Sequence, residues 1–512
     1  MSKFKNRALH VQVLFCAAAL VLIGKAMQLQ LLDDSYRAKA DATAIDKLTQ
    51  YPSRGSIFDR NGKLLVYNIP IYDLMVTYNR VDTNMDTLKL CRLIGISKDD
   101  FKRKLNKNWR DRRYSPSVPF IFQKQVSAET YAALQESMYQ FPGFFVQLRN
   151  VRGYVYPHAA HALGYLQEVN PAQIEASNGV YGAGDYIGAT GVELSYENRL
   201  RGQKGYRYVL KDNLGREVGS YQDGKLDEEN QAIAGQDLIA SLDIELQRYC
   251  EQLMQNKRGA VVAIEPSSGE ILSMLSSPSY NPNLLRMDQN RSKAYNALSL
   301  DKEKPFFNRA TLAAYPPGSI FKTLVALIAL QEKRTQPDRT IRCYNGYLYN
   351  GVVRPGCHPH ATCRSVGDGI MHSCNAYFAE LFRNIIDMQG FYSPEPGMRV
   401  FSGYLHSFGL GRILGTDFPR EGKGLVPTVE YYDNIYKPKG ERWVSPYIVS
   451  LGIGQGEIQM TTLQMANLAC MIANRGHFYT PHLAKGFREN DAILGVKDIF
   501  RTRHYVNIDA EH

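Results

Sequence analysis

One uninterrupted apolar run, Val13 to Gly24, constrains this chain more than any other feature of its 512 residues. The run is short for a bilayer span. Weaker apolar flanks carry it to about Leu32, and Lys25 near the outer end can snorkel. Lys3, Lys5 and Arg7 precede it, so the positive-inside rule keeps the N-terminus in the cytoplasm and exports the remainder. A cleaved signal peptide is the main rival. The segment Lys25-Ala26-Met27-Gln28-Leu29-Gln30 offers no small-x-small cleavage site, which favours an uncleaved anchor over residues 1–32. Bulky Phe15 ahead of Cys16 argues against lipoprotein processing. No second run is long enough to span, so the reading is a single-pass protein of the inner (cytoplasmic) membrane.

Beyond the anchor the chain must fold as ordinary globular protein, and a composition of 44% hydrophobic and 22% charged residues agrees. A net charge of +11 admits nucleic acid, an anionic membrane or an acidic polymer as partner. No zinc-finger, RNP or helix-turn-helix pattern accompanies it, so nucleic acid is discounted. Much of the surplus sits in short runs, Lys102–Lys107 and Arg110–Arg113, that read as solvated surface. Residues 33–234 are rich in Tyr, Gly and charge, carry no catalytic cluster, and contain alternating stretches such as Ile71–Val76 that predict strands. Polar Asp223–Asn230 predicts a linker. Over 235–512 the texture changes. Asp243 is placed to cap a helix carrying Leu246, Tyr249, Cys250, Leu253 and Met254 at helical spacing. Gly259–Ile264 predicts a buried strand, Glu265–Gly269 a turn and Glu270–Leu275 the returning strand. Helix, hairpin and further helices make an α+β domain with helices around a central antiparallel sheet.

Chemistry concentrates in two places. Tyr315-Pro-Pro-Gly-Ser-Ile-Phe-Lys322 leads into the apolar helix Thr323–Leu330, placing Ser319 at a helix N-terminus and Lys322 one turn along on the same face. A serine hydroxyl needs a base within reach, and a lysine half-buried against an apolar helix has its pKa lowered toward that role. The helix N-terminus also offers N–H groups to a developing oxyanion. Ser-x-x-Lys alone is weak, since a Ser cap with a surface Lys is common; the Tyr-Pro-Pro-Gly lead-in and buried helix give it weight. The second place is His372-Ser-Cys-Asn375, just ahead of another apolar helix. There Ser373 can relay a proton between Lys322 and a leaving group, and Asn375 can hold a substrate amide and steady the lysine.

These motifs resemble the class B penicillin-binding proteins, specifically their elongation type, penicillin-binding protein 2, in which Ser-x-x-Lys and a Ser-x-Asn element precede Lys-Thr-Gly. The resemblance covers nearly the whole chain. Tyr51-Pro-Ser-Arg-Gly-Ser-Ile-Phe-Asp-Arg-Asn-Gly62, His161-Ala-Leu-Gly-Tyr165 and Gly188-Ala-Thr-Gly-Val-Glu193 resemble motifs of the family's elongated pedestal, or dimerisation, domain. Asn308-Arg-Ala310, Leu451-Gly-Ile-Gly-Gln-Gly-Glu457 and Thr461-Thr-Leu-Gln-Met-Ala-Asn467 resemble segments of its transpeptidase domain. The resemblance implies a peptidoglycan D,D-transpeptidase. Ser319 attacks the D-Ala-D-Ala carbonyl of a stem peptide and Lys322 serves as base, with Ser373 and Asn375 completing the site. β-Lactams act as inhibitors. A SEDS-family glycosyltransferase and the elongation complex are partners through the anchor and pedestal. An inactive scaffold or β-lactam-sensing relative is the alternative of another class, and a β-lactamase or carboxypeptidase needs neither anchor nor pedestal. The sequence contains no Lys-Thr-Gly. The expectation is therefore a chain that continues past His512, the motif arriving within roughly one strand–helix unit, and a 512-residue product that acylates poorly and aggregates.

Cys343, Cys357, His358, His360, Cys363 and Cys374 cluster near these elements. Three readings stay open: a tetrahedral zinc site, a disulfide between two of Cys343, Cys357 and Cys363, or unpaired thiols with Cys374 in the core. No cofactor is assigned from the sequence.

Overall fold

The computed structural model describes residues 2–28, 45–110, 114–211, 217–220, 230–489, 492–495 and 498–512. The anchor's extension over 29–32, residues 111–113 of the second basic run and residues 223–229 of the linker lie outside the described residues. The N-terminal helix Ser2–Met27 contains an exposed stretch, His10–Met27, that is long and apolar enough to cross a bilayer, with mean hydropathy 1.8.

The chain divides into two compact units that interleave in sequence. One takes Met1–Ser53, Ile71–Arg149 and Gly202–Ala234; the other takes Arg54–Pro70, Asn150–Arg201 and Gly235–His512. In the first, strands Ile45–Gln50, Gly205–Lys211 and Glu217–Ser220 form an antiparallel sheet. The stretch read as a strand at Ile71–Val76 is the second half of strand Leu64–Val76, and its Tyr72–Val76 pair with Phe120–Val126. Helices Thr87–Ile94, Lys98–Leu105 and Ala128–Ser137, capped by Asp86, Ser97 and Ser127, complete a core of Leu74, Leu90, Phe101, Phe122 and Phe144. Lys102 and Arg103 are exposed on their helix.

In the second unit, Ile57, Leu65, Val66, Leu163 and Val192 share one buried cluster with Leu238, Ile244, Ile271 and Met274. This shared burial places Arg54–Pro70 and Asn150–Arg201 with the C-terminal residues. Asp243 does cap helix Ile244–Leu253, accepting from Glu245 N and Leu246 N. The buried face differs from the one expected: Ile244, Gln247 and Cys250 point inward, while Tyr249 and Leu253 are exposed. Gln247 is admitted to the interior because Ser273 Oγ, Met274 N and Met274 O satisfy its amide. The antiparallel pair Gly259–Ile264 and Ile271–Ser277 forms as expected, although the first strand is half-buried throughout. Beside it lies a helical core built on helix Lys322–Gln331, helix Asn375–Ile386, helix Glu395–Ser407 and the 3-10 segment Ser445–Ile453. Phe321, Leu324, Ile328, Phe378, Phe382, Phe401 and Leu451 fill it.

Candidate active site

Ser319 sits on a 3-10 turn, Gly318–Phe321, that runs directly into helix Lys322–Gln331. Pro317, with φ −68° and ψ −22°, already has helical backbone angles and starts the turn, and Ala314–Tyr315 pairs with Met460–Thr461, which anchors the lead-in. The other side of the turn rests on Gly454, whose carbonyl accepts Gly318 N at 2.8 Å. Gly318 has φ +65° and Gly454 φ +70°, both in the left-handed region that favours glycine. A Cβ on Gly454 would lie 2.2 Å from Gly318 O and 2.7 Å from Phe321 Cβ, so only glycine lets the two strands of backbone meet. Ser319 is exposed, whereas Lys322 is 2% exposed. Burial pulls the Lys322 pKa below the ordinary lysine value, with the thiols of Cys357 and Cys374 acting in the opposite direction.

The Ser373-Cys374-Asn375 segment arrives from the facing helix. Ser373 has φ +49°, a left-handed conformation that a serine adopts at a cost. That bend turns its side chain and its carbonyl toward Lys322. Lys322 Nζ lies 2.6 Å from Ser373 O, 2.9 Å from Ser373 Oγ and 2.6 Å from Asn375 Oδ1. Ser373 Oγ lies in turn 2.9 Å from Ser319 Oγ. All four residues singled out in the sequence therefore meet in one hydrogen-bonded chain. The carbonyl of Ser373 and Oδ1 of Asn375 only accept. In a neutral amine the two N–H groups go to those acceptors, and the lone pair is left facing Ser373 Oγ. The Ser373 hydroxyl can then donate to nitrogen while accepting from Ser319.

Asn375 is held from its other end by a residue the sequence did not single out. Its Nδ2 donates to Gly356 O at 2.6 Å, at the end of the hairpin formed by Gly346–Tyr349 and Val352–Gly356. The next residue, Cys357, accepts Asn375 N at 3.1 Å and Ala376 N at 3.4 Å on its sulfur, while Cys374 Sγ accepts Tyr377 N. Two sulfurs thus cap the start of the Asn375 helix.

All eight cysteines are free thiols, so the disulfide reading has no bond to support it. Donor atoms of Cys343, Cys357, His360 and Cys374 all lie within 4.8 Å of one another. These four fit a tetrahedral zinc in number and chemistry. His360 Nδ1 contacts Ala361 O at 2.6 Å, and a carbonyl only accepts, so Nδ1 carries a proton and Nε2 is the atom a neutral ring would offer to a metal; Nε2 is buried and has no hydrogen-bond partner. Burial pushes the Cys343 and Cys374 thiols up to about 12. For Cys357, burial is outweighed by the Ala376 and Asn375 amides that donate to its sulfur and by the neighbouring His360 and Cys343, which together hold it below the usual thiol value. Cys363 and His358 stand outside this set of four.

The remaining motif residues are architectural in this structure. Arg54, in the Tyr51–Gly62 stretch, and Glu193, in the Gly188–Glu193 stretch, form a buried pair at 2.6 Å. Arg152, which the sequence reading missed, binds the other Glu193 oxygen at 2.7 Å and Gly55 O at 2.7 Å. Burial would raise the Glu193 pKa, but the two guanidiniums outweigh it and hold the carboxylate ionised. His161 is buried with Nε2 2.8 Å from Pro305 O, and Arg309 is spent on the carbonyls of Glu303, Lys304 and Phe307.

A serine and a buried lysine one helical turn apart, joined through Ser-x-Asn, on an α+β domain with a second interleaved unit, define a serine acyl-transferase fold of the penicillin-recognising kind. The chain belongs to the penicillin-binding protein family. Residues 49–239 match the penicillin-binding protein dimerisation domain, and residues 259–508 match the penicillin-binding protein transpeptidase domain. It is 30% identical over 484 residues to the peptidoglycan D,D-transpeptidase MrdA of Haemophilus influenzae, a match covering 91% of this chain and 69% of that one. Among solved structures it is similar to the complex between penicillin-binding protein PBP2 and MreC from Helicobacter pylori (TM-score 0.69, 25% identity, 89% of this chain and 82% of that one). It is also similar to a chain in the structure titled "Structural coordination of polymerization and crosslinking by a peptidoglycan synthase complex" (TM-score 0.63, 25% identity, 98% and 82%).

Proposed function

We propose that this protein is a peptidoglycan D,D-transpeptidase working through an acyl-enzyme on Ser319. The observation that carries the reading is the hydrogen-bonded chain Ser319–Ser373–Lys322–Asn375 with Lys322 buried. Neutral Lys322 draws a proton from Ser319 through the Ser373 hydroxyl as Ser319 Oγ attacks the D-Ala-D-Ala carbonyl. The same route run backwards delivers that proton to the nitrogen of the departing D-Ala. An amine of a second stem peptide then attacks the ester, gives its proton to the same relay and regenerates Ser319. Asn375, fixed by Gly356 O and Lys322, is placed to steer the substrate amide. A β-lactam carbonyl enters the same sequence and stops at the ester. Cys343, Cys357, His360 and Cys374 are the residues that would hold a zinc ion. With four protein ligands and no open position, its contribution when bound is structural.

The proposed organisation keeps an anchor over 1–32, a dimerisation-type pedestal over 33–234 and a transpeptidase domain over 235–512. Lys3, Lys5 and Arg7, ahead of the apolar stretch His10–Met27, support a periplasmic, extracytoplasmic catalytic domain. The similar chains in complexes with MreC and in a peptidoglycan synthase support a place in the elongation complex beside a SEDS-family glycosyltransferase. Labelling with a fluorescent penicillin tests the reading: a wild-type protein carrying a complete transpeptidase domain should take up a stable label and its Ser319→Ala variant should take up none. An unlabelled wild type in its native membrane would move the scaffold alternative to first place.

A further inference from the structure

Arg383 lies two turns beyond Asn375 on the same helix and is remote from Ser319 in sequence. Its guanidinium is half-buried and divides its donors among three elements. Nη1 donates to Tyr347 Oη at 2.6 Å, in the first strand of the 346–356 hairpin. Nε donates to Ser445 Oγ at 3.0 Å, at the start of the segment Ser445–Ile453. Nη2 pairs with Asp387 at 2.9 Å, whose same oxygen accepts the Ser445 hydroxyl at 2.8 Å. The cation also faces the rings of Tyr349 and Phe391, at 5.0 and 5.6 Å.

Each of these elements ends on a contact of the active site. The hairpin pairs Gly346, beside Tyr347, with Gly356, whose carbonyl holds Asn375. The segment Ser445–Ile453 runs into Gly454, which holds the Ser319 turn. It lies so tightly on the Asn375 helix that a Cβ on Gly452 would come within 2.6 Å of Phe382 Cβ. We propose that Arg383 is a positioning residue for acylation: it sets the spacing of Asn375, the hairpin and the Ser319 turn through Tyr347 and Ser445. A planar fork is required, because Nε, Nη1 and Nη2 reach Ser445, Tyr347 and Asp387 from three separate positions, whereas the three N–H groups of a lysine share a single nitrogen that cannot occupy all three places.

The inference rests on the proposed acylation chemistry, and its test separates the two. The full-length protein in detergent is treated with a fluorescent penicillin, and binding affinity and acylation rate constant are measured separately for Arg383→Lys, Tyr347→Phe and the double variant. Each single change should slow acylation about tenfold or more without weakening the non-covalent complex. The double variant should be no slower than the worse single, because the contact to Tyr347 that Tyr347→Phe removes is already lost in Arg383→Lys. Wild-type acylation by folded Arg383→Lys overturns the inference, as do multiplicative effects in the double variant. If Arg383→Lys fails to fold, Tyr347→Phe alone decides, and wild-type acylation by it overturns the inference. Labelling that persists in Ser319→Ala overturns instead the underlying nucleophile assignment.

Discussion

Replacing Gly454 with alanine asks how closely acylation depends on the placement of the Ser319 turn. Two costs can be worked from the geometry. At φ +70° an alanine pays about 1 kcal/mol for a left-handed backbone. Its Cβ would also stand 2.2 Å from Gly318 O and 2.7 Å from Phe321 Cβ. Non-bonded heavy atoms rest about 3.5 Å apart, so the turn must retreat by roughly 1 Å. Ser319 is the next residue, and a shift of about 1 Å at a reacting group costs on the order of a hundredfold in rate, about 2.7 kcal/mol of activation free energy. Gly440→Ala is the matched control. Gly440 has nearly the same φ, +72°, with no atom within 4 Å of its added Cβ, so it should show the backbone cost alone. Acylation by a fluorescent penicillin, followed by rapid quenching, should be about a hundredfold slower in Gly454→Ala and unchanged in Gly440→Ala. A folded Gly454→Ala protein that acylates within about twofold of wild type would refute the argument that Gly454 positions Ser319.

Buried charges give three other expectations. Burial lowers the His161 pKa from 6.5 to about 4, so between those values the unfolded chain binds more protons and stability falls as pH falls, by roughly 3 kcal/mol in all. Denaturant midpoints of His161→Gln should lack that part of the acid sensitivity; identical pH slopes in both proteins contradict it. Glu193→Gln leaves Arg152 buried without its carboxylate, while Arg54 keeps Glu197, and should destabilise by about 3 kcal/mol in chemical unfolding; a change below about 1 kcal/mol counts against the network. Because burial lowers the Lys322 pKa, its neutral form grows as pH rises, so the acylation rate should climb with pH and level off below the ordinary lysine range. Lys322→Arg, which cannot lose its proton, should be inactive across that range, and a flat wild-type profile would remove lysine from the base role.

The parts of this site that were legible in sequence are those fixed by local geometry. Ser319 and Lys322 lie one helical turn apart, so their proximity is a property of the helix. Asp243 was legible as a cap because capping is decided within three residues. The face of the helix it begins was not, because Gln247 is buried only by virtue of partners on a strand more than twenty residues away. Gly356 was beyond reach for another reason: it acts through a carbonyl that every residue carries. Ser373 could be named from its motif, but its φ of +49°, which turns it to face Lys322, is imposed by tertiary packing. The Arg54–Glu193 pair spans 139 residues, so the two motifs could be seen separately while their connection could not. The cysteine cluster was legible as a cluster. The structure distinguishes Cys343, Cys357, His360 and Cys374 from Cys363 and His358 by where the hairpin brings its end to the Asn375 helix.

The central claim is that Ser319 is acylated with Lys322 as its base, through Ser373. Peptide mass mapping of the full-length protein after brief exposure to penicillin tests it most directly. A penicilloyl mass confined to the peptide bearing Ser319, absent in Ser319→Ala and slowed by orders of magnitude in Lys322→Ala and Ser373→Ala, is the predicted result. An adduct on any other residue, or undiminished acylation in the folded Lys322→Ala protein, would contradict it.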